Sequence, residues 1–360
     1  MSAFRWHQDH VLESSLQAGA RLADQRCRKL AGVITGGQPL TDSAAVRALA
    51  HWQLEPIVTV ERATSGVMND VFIVTTTQRK VVLRKHRRRD LRQVHFEHAV
   101  IRYALDHQIP TPAVIPTHNG EPVIDHEGSF YSLFSHAEGG QLDQGHLSTA
   151  HAQSMGSMLA RMHCALAGFV VKPSVAPAGV IDPVAISATI KALIERIDEI
   201  PLPTEEDVWA REHLESKARW LATRPLPALQ PVPVESIQLV HGDYLHTNLF
   251  FAGTRVSAVI DWDKAERRWP IDEMIRNFDL SLEMQPELCA AMIDGYRSVR
   301  PVHLADLDRS ANNWNLDMVS SHWLLEGIYL RNNDRLRAHL KPGPFVPFAD
   351  QWEQLRSHLS

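Results

Sequence analysis

Cysteine is nearly absent from this sequence: three residues in 360, Cys27, Cys164 and Cys289, far apart and in no CxxC spacing. That argues against a disulfide framework and a zinc knuckle, and it suits a reducing compartment. No run approaches the ~20 apolar residues of a membrane-spanning helix. The opening "MSAFRWHQDHVLESS" has no apolar core of the kind a secretory leader needs. No charge of one sign dominates either. The formal net charge is −5, so no overall basic field invites nucleic acid or an anionic membrane. Internal repeats and low-complexity tracts are missing too. These absences lead us to expect a cytoplasmic protein of enzyme size, with neither nucleic acid nor a membrane as its partner. They leave the oligomeric state open, a homodimer included.

What is present is an ordinary globular composition, 44% hydrophobic and 22% charged, in a chain long enough for two lobes with their own cores. Residues 1–40 read as an extension, with a helix expected from Leu16 to Leu30 before the Gly-rich "GVITGGQPL". From 41 to 138 the pattern is mainly β. Thr41 or Asp42 could cap a helix through Trp52, and "IVTVER" (57–62), "DVFIVTT" (70–76) and "KVVLRKH" (80–86) are β-type runs. One amphipathic helix follows, about Leu91 to His107, with Leu91, Val94, Ala99, Ile101 and Leu105 as its apolar candidates. Strands are expected again at 121–125 and 129–134, and "SHAEGG" after them reads as a hinge. From 139 to 360 helical patterns take over, at 148–166, around 181–199 and around 205–222. The connector 224–236 interrupts them, because its prolines forbid helix and central strand alike.

Two stretches carry chemistry. "HGDYLHTNLFF" (241–251) and "VSAVIDWD" (256–263) each place an acidic residue beside a short apolar run. A hydroxyl attacking a phosphoryl group needs an acceptor for its proton, and a triphosphate needs a divalent cation to neutralise it. Magnesium takes oxygen ligands, typically one or two protein carboxylates with phosphates and water. Asp243 as the acceptor, Asn248 as a neutral oxygen ligand and Asp261 as the charged ligand meet that demand. The five-residue interval from Asp243 to Asn248 lets one tight loop aim both side chains the same way. A bland alternative is a turn with a capping aspartate and a strand that happens to end in one. A metal hydrolase using His241, His246 and Asp243 is a further alternative, without HExxH-type spacing.

The form His-Gly-Asp-x-x-x-x-Asn followed by Ile-Asp-Trp, with "MGSMLARMH" upstream, resembles the aminoglycoside phosphotransferase and choline kinase superfamily, nearest to type II homoserine kinases. The resemblance runs from about residue 53 to 283. It implies an α+β, two-lobed, protein-kinase-like fold: an N-terminal antiparallel sheet lobe with one helix (41–138), and a mainly helical C-terminal lobe (139–360). It implies Asp243 as catalytic base, Asn248 and Asp261 as Mg²⁺ ligands, and His241 as a brace of the loop. One departure is Leu245, where many members carry histidine; His246 follows one place later. Above the phosphates of ATP the family has a loop matched by Ser65, Gly66 and Asn69, which has a single glycine and reads equally as a plain hairpin. The usual phosphate-binding lysine position falls on Arg84, with Lys85 beside it. Alternation lets only one of the two enter the cleft, and we favour Arg84, with Glu97 as its ion-pair partner or else as a solvated helix residue. The hinge, Ser135 to Ala137, would take adenine. The acceptor would lie in the helical lobe, where Trp314, Asp317 and Ser321 share a helical face suited to a cationic amine. The implied activity is transfer of the γ-phosphate of ATP to a hydroxyl of a small molecule, an amino alcohol or a sugar. An antibiotic phosphotransferase or a catalytically silent nucleotide-binding regulator are its rivals.

Overall fold

A computed structural model describes residues 43–63, 70–86, 90–170, 182–224, 226 and 228–359. The helix expected at 16–30, and Ser65, Gly66 and Asn69, lie outside the described residues. The chain divides into two compact units. The first takes residues up to Gly140 together with Leu249–Gly253 and Ser257–Ala265; the second takes Gln141–Asn248, Thr254–Val256 and the rest from Glu266 onward.

The first unit is an antiparallel sheet with helices on it. Helix α1 (Ser43–Ala48) runs into a 3₁₀ turn, and strands β1 (Ile57–Arg62), β2 (Asp70–Thr76) and β3 (Lys80–His86) follow where the alternating runs predict them. After α2 (Leu91–Asp106) come β4 (Val114–Ile115), β5 (Ile124–His126) and β6 (Ser129–Ser135); β4 is too short to leave a sequence signal. The order is β1-β2-β3-β6-β4, with β5 also on β6. One face of the sheet, Phe72, Val74, Val81, Leu83, Tyr131 and Leu133, packs with Ala45, Ala48, Leu49 and Trp52 into a dry core. Trp52 also donates its indole N–H to Ile115 O at 2.8 Å, so its one polar atom is satisfied inside.

The opposite sheet face meets α2, and here the sequence reading needs correction. Of the five apolar candidates only Val94 and Ile101 are buried; Leu91 is 39% exposed, Ala99 and Leu105 are half-buried, and the buried set is Val94, Glu97, His98, Val100, Ile101 and Ala104. Glu97, only 2% exposed, is no solvated helix glutamate. Two later segments join this unit by specific bonds. Gly140 and Phe251 exchange backbone hydrogen bonds, Val259 N–H donates to Pro110 O at 2.8 Å, and the buried Trp262 donates its indole N–H to Thr111 Oγ1 at 3.0 Å.

The second unit is mainly helical. Its elements are α3 (Thr149–Leu166), α4 (Pro183–Asp198), α5 (Glu205–Thr223), β7 (Gln238–Val240), β10 (Glu266–Arg268) paired to β7, α6 (Ile271–Leu280), α7 (Pro286–Arg297), α8 (Leu304–Ser320) and α9 (Phe348–Arg356). In sequence β7 and β10 are separated by the hairpin β8 (Leu249–Ala252) and β9 (Arg255–Val259), most of which belongs to the first unit. Caps set the starts: Ser148 with His151 for α3, Asp182 before Pro183 for α4, Thr204 with Asp207 for α5. Helices α3 and α7 approach backbone to backbone. A Cβ on Gly156 would stand 1.9 Å from Met292 O, and one on Gly295 1.9 Å from Gln153 O. No helix among the described residues is long and apolar enough to cross a membrane.

Candidate active site

Strand β7 delivers the loop at 241–248. Gly242 takes φ +80°, a conformation that costs glycine little and most residues more, and this turns the chain into Asp243. Asp243 O then accepts from Leu245 N–H at 2.8 Å and from Asn248 Nδ2 at 2.9 Å, while Asp243 Oδ2 accepts from the same nitrogen at 3.3 Å. The five-residue interval therefore does close a tight loop, and the side chains of Asp243 and Asn248 touch. Because Asn248 turns its amide nitrogen to Asp243, Oδ1 is the end it can offer to a cation. His241 is wholly buried, and its Nδ1 accepts the Asp243 N–H at 3.2 Å, which fits a brace. His246 is buried too, its backbone N–H held by Ser281 Oγ at 3.1 Å, and burial lowers its pKa. Among the described residues no group of three or more His, Cys, Asp or Glu could hold a metal ion. His241, His246 and Asp243 thus do not form the centre a metal hydrolase would need.

One turn of α6 holds this loop, which the sequence reading did not foresee. Glu273 Oε1 accepts the Gly242 N–H at 2.7 Å. Arg276 donates to Gly242 O and, at 2.7 Å, to Asp243 Oδ1. Asn277 donates to Tyr244 O. Glu273 is itself anchored by His163 Nε2 at 2.9 Å. Burial opposes its ionisation, but the bonds from His163 and Gly242 outweigh that and hold its carboxyl below the usual range. The stretch "MGSMLARMH" now has a physical account: Met155 O takes the Tyr244 hydroxyl at 2.9 Å, Gly156 admits α7, and His163 ends the chain of bonds to Gly242.

In the first unit, Arg84 and Glu97 form a bidentate pair at 2.7 and 2.9 Å, and Arg84 Nη1 lies 3.6 Å from Asp261 Oδ1. Burial works against the Arg84 charge; Glu97 first and Asp261 next outweigh it and raise the guanidinium pKa. Lys85, on the other strand face, lies 5.8 Å over the Tyr131 ring. The alternation argument thus separates the two as expected. Asp261 occupies the left-handed region, φ 65° and ψ 64°, which Asp adopts more readily than most residues. This re-aims the chain at the end of β9. Ser135 has both its N–H and its hydroxyl bonded to Ala113, whereas among the described contacts none engages the buried Ala137 N–H.

The expected acceptor face is altered. Ser321 is not helical: it caps α8 in extended conformation. Trp314 is 8% exposed and donates its indole N–H to Asp279 Oδ2 at 2.9 Å, so its ring is mostly packed. Asp317 is exposed. Beside them Asp272, its carboxyl pushed up to about 6 by burial, accepts from Ser310 at 2.7 Å. Asp272, Asp279 and Asp317 all belong to the packed pair α6 and α8.

Three comparisons bear on this geometry. The model of the phosphotransferase enzyme family matches residues 59–308. A homoserine kinase of Janthinobacterium sp. (strain Marseille) is 23% identical over 279 residues, 74% of this chain and 80% of its own. Among solved structures, a spectinomycin phosphotransferase, APH(9)-Ia, in complex with ADP and its antibiotic superposes with a TM-score of 0.60 at 13% identity, covering 89% of this chain and 100% of its own. An amicoumacin kinase in complex with AMP-PNP, Ca²⁺ and Ami superposes at 0.53 and 16%, covering 93% and 98%.

Proposed function

The chain belongs to the phosphotransferase enzyme family and is a small-molecule kinase, and we propose that it moves the γ-phosphoryl group of ATP to the hydroxyl of an amino alcohol such as homoserine. The loop in which Asn248 bonds both the carbonyl and the carboxylate of Asp243 carries this reading. It joins a proton acceptor to a neutral oxygen donor at the spacing phosphoryl transfer needs. Asp243 orients the attacking hydroxyl and takes its proton. Arg84, its two terminal nitrogens held by Glu97, offers its remaining N–H groups and its charge to the phosphates; a guanidinium has donors enough for both partners. Ser65, Gly66 and Asn69 cover the phosphates, and the backbone of Ala137, more than that of Ser135, faces adenine.

The donor set suits Mg²⁺: the Asp261 carboxylate, with 32% of its side chain exposed, and the Asn248 amide oxygen, with the remaining positions left to phosphate and water. When bound, the ion would neutralise charge on the triphosphate. Asp261→Ala is expected to weaken Mg²⁺-dependent ATP binding at least tenfold, measured by calorimetry with and without the cation. Equal affinities in the two proteins would move the metal elsewhere.

The acidic residues of α6 and α8 support an acceptor that carries an amine. Asp317 leads among them because it is exposed; Trp314 contributes by orienting Asp279. Asp317→Ala should raise KM for a basic acceptor several-fold and leave KM for ATP unchanged. Should both constants hold, the amine is bound by other groups. The function itself is tested by following ATP consumption with homoserine, choline, sugars and aminoglycosides. Phosphorylation of homoserine or choline is expected. Turnover confined to an aminoglycoside would favour the antibiotic class, and none at all would favour a silent regulator.

A further inference from the structure

We infer that Arg276 is a positioning residue for Asp243, acting on the orientation of its carboxylate and not on the substrates. The inference rests on the reading of Asp243 as the proton acceptor. Arg276 is one helical turn from Glu273, so both project from the same face of α6. Glu273 takes the N–H of Gly242, Arg276 takes the C=O of the same residue, and Asn277 takes the C=O of Tyr244. Three side chains of one turn thus fix the backbone on either side of Asp243. Arg276 alone also reaches the functional group: its Nη2 donates to Oδ1 at 2.7 Å while Nη1 holds Gly242 O. With Asn248 Nδ2 on Oδ2 at 3.3 Å, the carboxylate is held at both oxygens, and its plane cannot rotate.

The chemistry selects arginine here. The planar fork delivers two divergent donors at fixed separation, one to the backbone and one to the carboxylate, where a lysine ammonium is a single point charge on a flexible stem. The side chain is 21% exposed and Asp243 13%, so the pair is shielded enough to keep its geometry yet open enough for an acceptor to approach. A reacting group misplaced by about 1 Å can lose on the order of 10²-fold in rate, and a freed carboxylate rotor is a misplacement of that kind.

The experiment uses the full chain and the acceptor that the substrate panel identifies. Arg276→Ala should lower kcat by roughly 10- to 100-fold with KM for ATP and for the acceptor within twofold of the parent. Guanidinium at millimolar, non-denaturing concentration should restore part of that kcat in the variant and none in Asp243→Asn/Arg276→Ala. On the Asp243→Asn background, Arg276→Ala should add little further loss, since the group it positions is gone. A raised acceptor KM with kcat preserved would make Arg276 a substrate ligand and overturn the proposal. So would additive losses without guanidinium rescue, the sign of a purely structural role. If the alanine variant does not fold, Arg276→Lys decides: reduced kcat at parental KM supports positioning, and parental kcat overturns it. A parent protein that consumes no ATP with any acceptor fails the kinase reading instead, before any variant is made.

Discussion

Asp243→Asn is expected to cut turnover by a factor of about 10² to 10⁴, the range seen when a general base is removed, with nucleotide affinity unchanged. The substitution keeps the size of the side chain, so the loop backbone can keep its bonds to Glu273, Arg276 and Asn277. What changes is the donor count. Arg276 points a donor at one oxygen and Asn248 points a donor at the other. An amide placed between two donors must turn its own N–H₂ toward one of them. The carboxylate's ability to take the hydroxyl proton is lost as well. Steady-state kinetics together with ATP binding separate the outcomes: turnover near that of the parent would remove Asp243 from its role.

Gly295→Ala is expected to destabilise the second unit by about 3 kcal/mol, the upper part of the usual overpacking range. The added Cβ would lie 1.9 Å from the carbonyl oxygen of Gln153, a backbone atom that cannot swing aside. Helices α3 and α7 must separate, and α3 carries both Met155 and His163, the supports of Tyr244 and Glu273. The sign of the effect is the test. Helix propensity alone favours alanine over glycine by about 0.8–1 kcal/mol, so an exposed helical glycine would give a more stable protein. A urea denaturation midpoint that rises, not falls, would show that the two helices do not meet as closely as described.

The parts of the fold legible in the sequence were those written in local period. Strands at 57–62, 70–76 and 80–86 stand where alternation puts them, and the helix after Ser148 starts at a capping residue. The Asp243 and Asn248 contact was legible for the same reason, being fixed by an interval within one loop. Non-local pairing was legible only where the resemblance pointed to it: Glu97 was expected as the partner of Arg84 and pairs with it, whereas nothing local announced that His98 is buried against Phe134. Arg276 gave no sign of its place, because an arginine at the sixth position of a helix reads as solvated. Ser321 was assigned to a helical face by period alone, and the helix stops one residue before it. A glycine inside a helix is a weak signal, and only the neighbouring backbone shows why Gly156 and Gly295 resist replacement.

The allocation of residues 249–265 has a consequence for biosynthesis. The sheet, with α1 and α2, emerges from the ribosome early, but the segment containing the buried Trp262 and its bond to Thr111 belongs to that same unit and follows Gln141–Asn248 in the chain. At about 5–20 residues per second, more than a hundred intervening residues correspond to roughly 5–20 s of translation. Throughout that interval the nascent first unit lacks Trp262, Asp261 and the strand partner of Gly140. A fragment ending at Gly140 would be arrested permanently in that state, with the surface meant for Trp262 uncovered. Ribosome-bound chains stalled before residue 249, and far enough beyond residue 265 for that segment to have left the exit tunnel, should therefore differ in their protection from protease, and chaperone contact should be greatest in the earlier one.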